Sequence, residues 1–282
     1  MQFFGRKTRS CNLDFSINSF RENLLFILLA FLFFSPFLVN AQITDYKQFT
    51  PEFQLNRAIT DKWAAEFDIN NTFSSTPSQD KVFKTVIQGS GHIWAHYFYS
   101  PRWKFSSNLS YFYNHDTPEI GQYDSKEWRL ALQGIYYIHK IGYTLNTRMR
   151  AEIRLMTNEE GVFEDTYRYR QMLKFIKPIN SQVLRQGVFY AVASEELYFR
   201  STYKSTGFHY FDRNMFVVGG GYMINNDLQV ELTYTNELIP RDTGGILNNL
   251  ISVTFTTNNL LPNIKHKIGK LFASPPPDDE KD

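Results

Sequence analysis

Between residues 144 and 156 the chain alternates strictly. Leu145, Thr147, Met149, Ala151, Ile153 and Leu155 interleave with Thr144, Asn146, Arg148, Arg150, Glu152 and Arg154. Side chains on a strand project to opposite faces with period two, so one face is apolar and the other collects every charge. A face carrying three arginines cannot form an ordinary hydrophobic core. The same two-residue period recurs at 52–57, 63–70, 103–113, 127–136, 166–175, 228–235 and 248–258. Further strands are expected to end near Tyr99 and to cover about 187–199 and 214–224. No helical period competes with this pattern.

Eleven segments emerge, and an antiparallel sheet that closes on itself is expected to have an even number. The expectation is therefore ten or twelve strands. Either the first segment is short of a full strand, or 82–99, with Gly89 and Gly91 inside, hides two. The connections alternate as well. Short ones (AITDK, SPR, HKIG, KPINSQ, NND) interleave with longer polar ones (SSTPSQDK, NHDTPEIGQYDSK, TNEEGVFED, RSTYKSTGFHYFD, IPRDTGG). Tight turns at one rim and longer loops at the other are the habit of outer-membrane barrels. Trp63, Trp103 and Tyr143 each follow a short turn, and Trp128 follows a long one. These four are expected to form aromatic girdles at the two membrane interfaces.

The start of the chain gives an address. Arg6, Lys7, Arg9 and Arg21 precede the apolar run LLFILLAFLFFSPFLV, which leads to Val39-Asn40-Ala41. That order predicts a secretory signal peptide over 1–41, removed before Gln42. Pro36 interrupts the run, which is short for a retained span of ~20 residues. Four of the 30 basic and two of the 28 acidic residues leave with the signal, so 26 of each remain. A mature chain with no net charge gives no electrostatic reason to bind nucleic acid. Cys11, the only cysteine, leaves too, which excludes disulfides, thiolate nucleophiles and cysteine-ligated metals. Residues 42–263 are expected to form the barrel. Residues 264–282 form a polar tail, disordered from about 273 where ASPPPDDEKD begins.

A barrel is the expected fold because hydrocarbon forbids unpaired backbone groups, and hence open sheet edges. The prediction is an all-β, closed antiparallel transmembrane barrel in the outer membrane of a Gram-negative bacterium. Its partners would be outer-membrane lipid and, during biogenesis, periplasmic chaperones and the barrel-insertion machinery. It is expected to be a monomer.

Three passages carry a family resemblance: RYRQML (168–173), SEELYF (194–199) and FDRNMFVVGGGYMINNDLQVELTYTNEL (211–238). They resemble the bacterial outer-membrane proteins grouped as domain of unknown function 2490. The resemblance implies an outer-membrane barrel and supplies neither a reaction nor catalytic residues.

Candidate chemistry is concentrated on the charged face. Arg148, Arg150, Arg154, Arg168, Arg170 and Lys174 lie on two consecutive strands and would form one basic patch in the lumen. Glu66, Asp68, Glu152, Glu195 and Glu231 are the expected acidic partners. Paired, they would fill a narrow lumen with compensated charge. Unpaired, the arginines would make a pore or pocket selective for anions. His92 and His96 share a strand face but lack further metal ligands, so no metal or other cofactor is expected. A lipid-modifying enzyme is a further alternative, since HYFYS brings His96 and Ser100 close in sequence. No triad-like motif supports it, and no catalytic residue is assigned.

Overall fold

The computed structural model describes residues 43–76, 81–118, 120–121, 123–201, 210–241 and 244–258. The expected signal peptide and polar tail both lie outside the described residues. Eleven strands run in chain order: β1 (Ile43–Ala58), β2 (Trp63–Ser74), β3 (Thr85–Ser100), β4 (Trp103–Asn114), β5 (Ser125–His139) and β6 (Thr144–Thr157). They continue as β7 (Phe163–Pro178), β8 (Phe189–Arg200), β9 (Phe211–Met223), β10 (Leu228–Arg241) and β11 (Gly244–Asn258). A single turn of 3₁₀ helix, Val82–Lys84, precedes β3.

Each strand pairs with its sequence neighbours in antiparallel register, and β1 pairs with β11 to close the barrel. That last ladder is parallel, running from Ile43 opposite Gly245 to Asn56 opposite Asn258. The expectation of ten or twelve strands is thus replaced by eleven. β1 is a full strand of 16 residues, and β3 passes through Gly89 and Gly91 as one strand of 16. With an odd number, the first and last strands point the same way. Parallel hydrogen bonds are slanted and slightly weaker per residue, but they leave no unpaired edge.

The connections follow the expected rhythm only in part. Tight turns at 59–62, 101–102, 140–143 and 224–227 share one rim, here called the turn rim. The β7–β8 connection on that rim, 179–188, is longer than KPINSQ suggested. At the other rim the described residues of IPRDTGG are strand, since Ile239 pairs with Ile246, Pro240 with Gly245 and Arg241 with Gly244.

The two faces are inverted relative to a soluble protein. Phe53, Phe67, Ile93, Leu109, Leu130, Leu132 (63% exposed), Ile153 and Leu155 stand on the outside. The buried interior contains Asp68, His96, Glu127, Glu152, Arg154, Arg168, Arg170 and Glu196. A β-sandwich would pack its apolar alternation inward. Among the described residues, the buried apolar cluster amounts to Ile120 and Met156. The inside is held by hydrogen bonds and ion pairs instead.

Glycines on β9 shape the lumen wall. A Cβ on Gly221 would collide with the Tyr190 ring, and one on Gly219 would collide with the β10 backbone at Leu232 and Thr233. Tyr190 therefore lies across β9 and donates its hydroxyl to Glu231 Oε2 on β10 at 3.0 Å. The absence of a side chain here is what lets a ring fold inward.

Candidate lumen site

The arginine wall rises from the register of β5 to β9. Arg150 lies opposite Arg170, and Glu152 opposite Arg168, across the β6–β7 ladder. Arg170 in turn lies opposite Tyr198, and Met172 opposite Glu196, on β8. Two carboxylates tie these rows together. Glu152 accepts from Arg168 Nε at 2.7 Å and from Arg170 Nη1 at 2.8 Å, with Arg150 Nη1 at 3.5 Å. Glu196 accepts from Arg148 Nη2 at 2.6 Å and from Arg170 Nε and Nη2, both at 2.9 Å. Charge-assisted bonds of this fork geometry are the strong class of hydrogen bond.

Tyr198 is the hub of this wall. Its hydroxyl accepts from Arg170 Nη2 at 2.7 Å and donates to Glu196 Oε2 at 3.0 Å. The guanidiniums of Arg170, Arg168 and Arg213 lie 4.3, 5.1 and 5.6 Å from its ring centroid. Three cations around one ring gain quadrupole attraction and still repel one another.

Higher on the wall, Glu127 takes Arg154 through two bonds, at 2.6 and 2.9 Å, and Arg129 at 2.8 Å. Asp212 collects Arg213 at 3.2 Å, Arg200 at 3.4 Å and Arg168 at 3.7 Å. Arg213 also reaches Glu237 at 2.9 Å.

The sequence-derived basic patch is therefore brought together except at one end. Arg148, Arg150, Arg154, Arg168 and Arg170 all enter the network. Lys174 faces the lumen opposite Asn146 and Ser194, and among the described residues it makes no ion pair. Its strand position near the turn rim keeps it from the glutamates that serve the arginines.

The acidic partners divide differently from the expectation. Glu152 is central. Among the described residues, Glu66, Asp68 and Glu231 face inward without pairing to an arginine: Glu66 meets His96 Nε2 at 3.3 Å, Asp68 accepts from Trp94 Nε1 at 2.9 Å, and Glu231 holds Tyr190. Glu66 and Glu231 are each the fourth residue of their strand from the turn rim, below the arginines. Glu195 is a correction. It lies opposite Leu173 and Phe216 on the outer face, because its neighbour Glu196 points inward and alternation allows only one of the two. There Asn214 Nδ2 donates to Glu195 Oε1, and Oε2 is buried without a hydrogen-bond partner.

Sequence reasoning missed Glu127, Glu196, Asp212 and Glu237 as the actual counterions, and Arg129, Arg200 and Arg213 as members of the wall. Alternation had already set Glu127 and Arg129 on the charged face of β5. The pairing itself depends on barrel curvature, which the sequence does not display.

The histidines are held by hydroxyls. His92 lies between Ser90 Oγ at 2.9 Å and Ser110 Oγ at 3.0 Å. His96 lies between Ser106 Oγ at 2.8 Å and Glu66. Ser100, paired with His96 in the enzyme alternative, instead receives the backbone amides of Arg102 and Trp103 at the turn. The Ser106–His96–Glu66 chain has the residue types of a hydrolase triad, yet Ser106 and His96 are both buried in the lumen. Activation of a serine also requires room for the acyl group it attacks.

The four aromatic residues named for the girdles occupy rim positions. Trp63 and Trp103 begin β2 and β4, and each is paired with a ring on the next strand, Tyr97 at 4.8 Å and Tyr136 at 4.9 Å. Tyr143 stacks on His139 at 3.9 Å beside the β5–β6 turn. Trp128 packs against Tyr111 at 4.9 Å toward the opposite rim.

A solved structure described as a bacterial polysaccharide outer membrane secretin is similar over 70% of this chain, at 13% identity and a TM-score of 0.46. This chain spans 64% of that structure's length. No curated protein matches. The model of a family described as protein of unknown function, DUF2490, matches residues 51–248. That match takes in β2 to β10 whole and parts of β1 and β11, and the chain belongs to the DUF2490 family.

Proposed function

We propose that this chain is a monomeric outer-membrane barrel of a Gram-negative bacterium, built as a closed structural or interaction barrel. A signal peptide over 1–41 would deliver it to the periplasm, where chaperones and the barrel-insertion machinery receive it. The observation that carries the reading is the inversion of faces: exposed Phe, Ile and Leu side chains outside, buried Arg and Glu side chains inside. An apolar band of that extent is costly in water and satisfied in hydrocarbon. Trp63, Trp103 and Tyr143 at one rim and Trp128 toward the other suit the two interfaces.

Closure is supported by contacts that cross the lumen. Arg150 on β6 meets the Trp94 ring on β3, two strands beyond its ladder neighbour β5. The reading includes no catalytic step. A narrow anion path is the second reading, favoured by the arginine wall alone. Fractionation should find the protein in outer membranes, with heat-modifiable mobility on gels, and purified protein should give no steady conductance in planar bilayers. Recovery from the soluble periplasm would remove the membrane assignment. An anion-selective conductance would exchange the closed barrel for the channel.

A further inference from the structure

We infer that the arginine wall encloses a binding site for a small oxyanion of the phosphate or sulfate class, reached from the aqueous lumen. Inside the barrel lies a cavity of about 190 Å³. Arg129, Arg168, Arg170 and Arg213 line it, with Glu237 and Gln48 on the facing strands. At ~30 Å³ per molecule such a space would hold about six waters, or one tetrahedral anion with a partial hydration shell.

The guanidiniums of the wall outnumber the carboxylates they bind among the described residues. Among the described residues, eight guanidiniums share five carboxylates in the network. Arg154, Arg200 and Arg213 have additional contacts, so the comparison is firmer without them. Five guanidiniums then share Glu127, Glu152 and Glu196, and Asp212 adds only a 3.7 Å contact to Arg168. Among the described residues, the acid lining the cavity is already compensated, since Glu237 takes Arg213 at 2.9 Å and Asn248 Nδ2 at 2.7 Å.

Arginine stays protonated, so the excess cannot be relieved by losing a proton. Water can fill the cavity, but it brings no negative charge. An anion with several oxygens matches the fork of a guanidinium better than a spherical halide does.

The test uses the full barrel, purified and folded in detergent micelles. Calorimetric titration with inorganic phosphate and with sulfate is compared with chloride at equal ionic strength, alongside thermal unfolding. Saturable binding of either oxyanion, with a concentration-dependent rise in the unfolding midpoint that chloride does not give, is the expected result. Gln48→Glu places a carboxylate in the cavity and should abolish both signals while raising the midpoint of the anion-free protein. Arg129→Gln is the second variant, since Glu127 keeps both bonds to Arg154. It should weaken binding about tenfold or more, the scale of one lost charge-assisted bond. Equal effects of chloride, no saturable binding, or unchanged affinity in either variant would overturn the site.

Discussion

The guanidinium of Arg150 rests 4.9 Å from the centre of the Trp94 ring, joining two walls of the lumen that share no ladder. Each partner is fixed from behind. Arg150 donates to Gln133 Oε1 through Nε at 2.9 Å and Nη2 at 2.7 Å, and Trp94 donates to Asp68 at 2.9 Å. The contact therefore completes a strut from Asp68 on β2 to Gln133 on β5, bridging β3 and β6, which share no ladder. Buried cation–π pairs are worth about 2 kcal/mol. A double-mutant cycle with Arg150→Lys and Trp94→Leu should return coupling of that order in detergent unfolding. Trp94→Ala should also admit measurable ion flux in bilayers where the wild type is silent.

Glu152 and Glu195 separate the two kinds of buried acid. Glu152 neutralises Arg168 and Arg170 and assists Arg150, so Glu152→Gln leaves buried cations short of a partner and should cost about 3–5 kcal/mol. Glu195→Gln removes charge from the outer face, where among the described residues Asn214 is its hydrogen-bond partner, and should be neutral or stabilising. Unfolding midpoints of both variants check the order. A larger loss at position 195 would place the essential acid on the wrong side of the sheet.

Outward positions should reject charge by depth. Leu132→Arg or Ile153→Arg should cost about 2–4 kcal/mol near a bilayer midplane. Thr233→Arg adds a cation facing the lumen and should cost less, because the long side chain can turn toward Glu231 two residues away on the same face. Folding titrations into lipid vesicles measure all three.

Gly221 is expected to resist any side chain. Gly221→Ala would drive a methyl group into Tyr190, an overpacking error worth about 1–3 kcal/mol. In a Tyr190→Ala background the same substitution should cost much less, a non-additivity that identifies the ring as the obstacle. Additive losses would point to backbone geometry instead.

A pH response belongs to the β4–β5 loop. Tyr113 donates to Asp124 Oδ1 at 2.6 Å, and His115 Nδ1 lies at the same distance. These bonds, the tyrosine's first, hold the Asp124 carboxyl below its ordinary value. A depressed carboxyl contributes stability above its unfolded value, about 3.9, and loses it as pH falls through the lower folded value. Carbon-detected titration of Asp124 should show that lowered midpoint, and Tyr113→Phe should move it back up.

The stretch from 144 to 157 was the most legible part of the chain. Its alternation separates Arg148, Arg150 and Arg154 from Met149, Ile153 and Leu155, and the barrel keeps that division. Parity is a local property, so it survives without knowledge of the fold. Glu195 shows where it ends: two adjacent acids offer two possible phases, and only the register against β7 chooses Glu196 for the lumen. Partnering across the lumen is less local still. Glu66 and Asp68 have the right face and the wrong wall, and Lys174 the right wall and the wrong height. The strand count could be read segment by segment, yet a general preference for even numbers argued against it. The β1–β11 ladder satisfies both edges without that symmetry.

The parallel closure has a consequence for sidedness. Because β1 and β11 run the same way, the chain enters the barrel at one rim with Ile43 and leaves it at the other with Asn258. In a membrane these two points belong to different compartments. A label attached just before β1 and another just after β11 would answer to reagents applied from opposite sides. Joining them for a circular permutation would need a linker that crosses the whole wall, about 50 Å for a strand of this length at ~3.3 Å per residue.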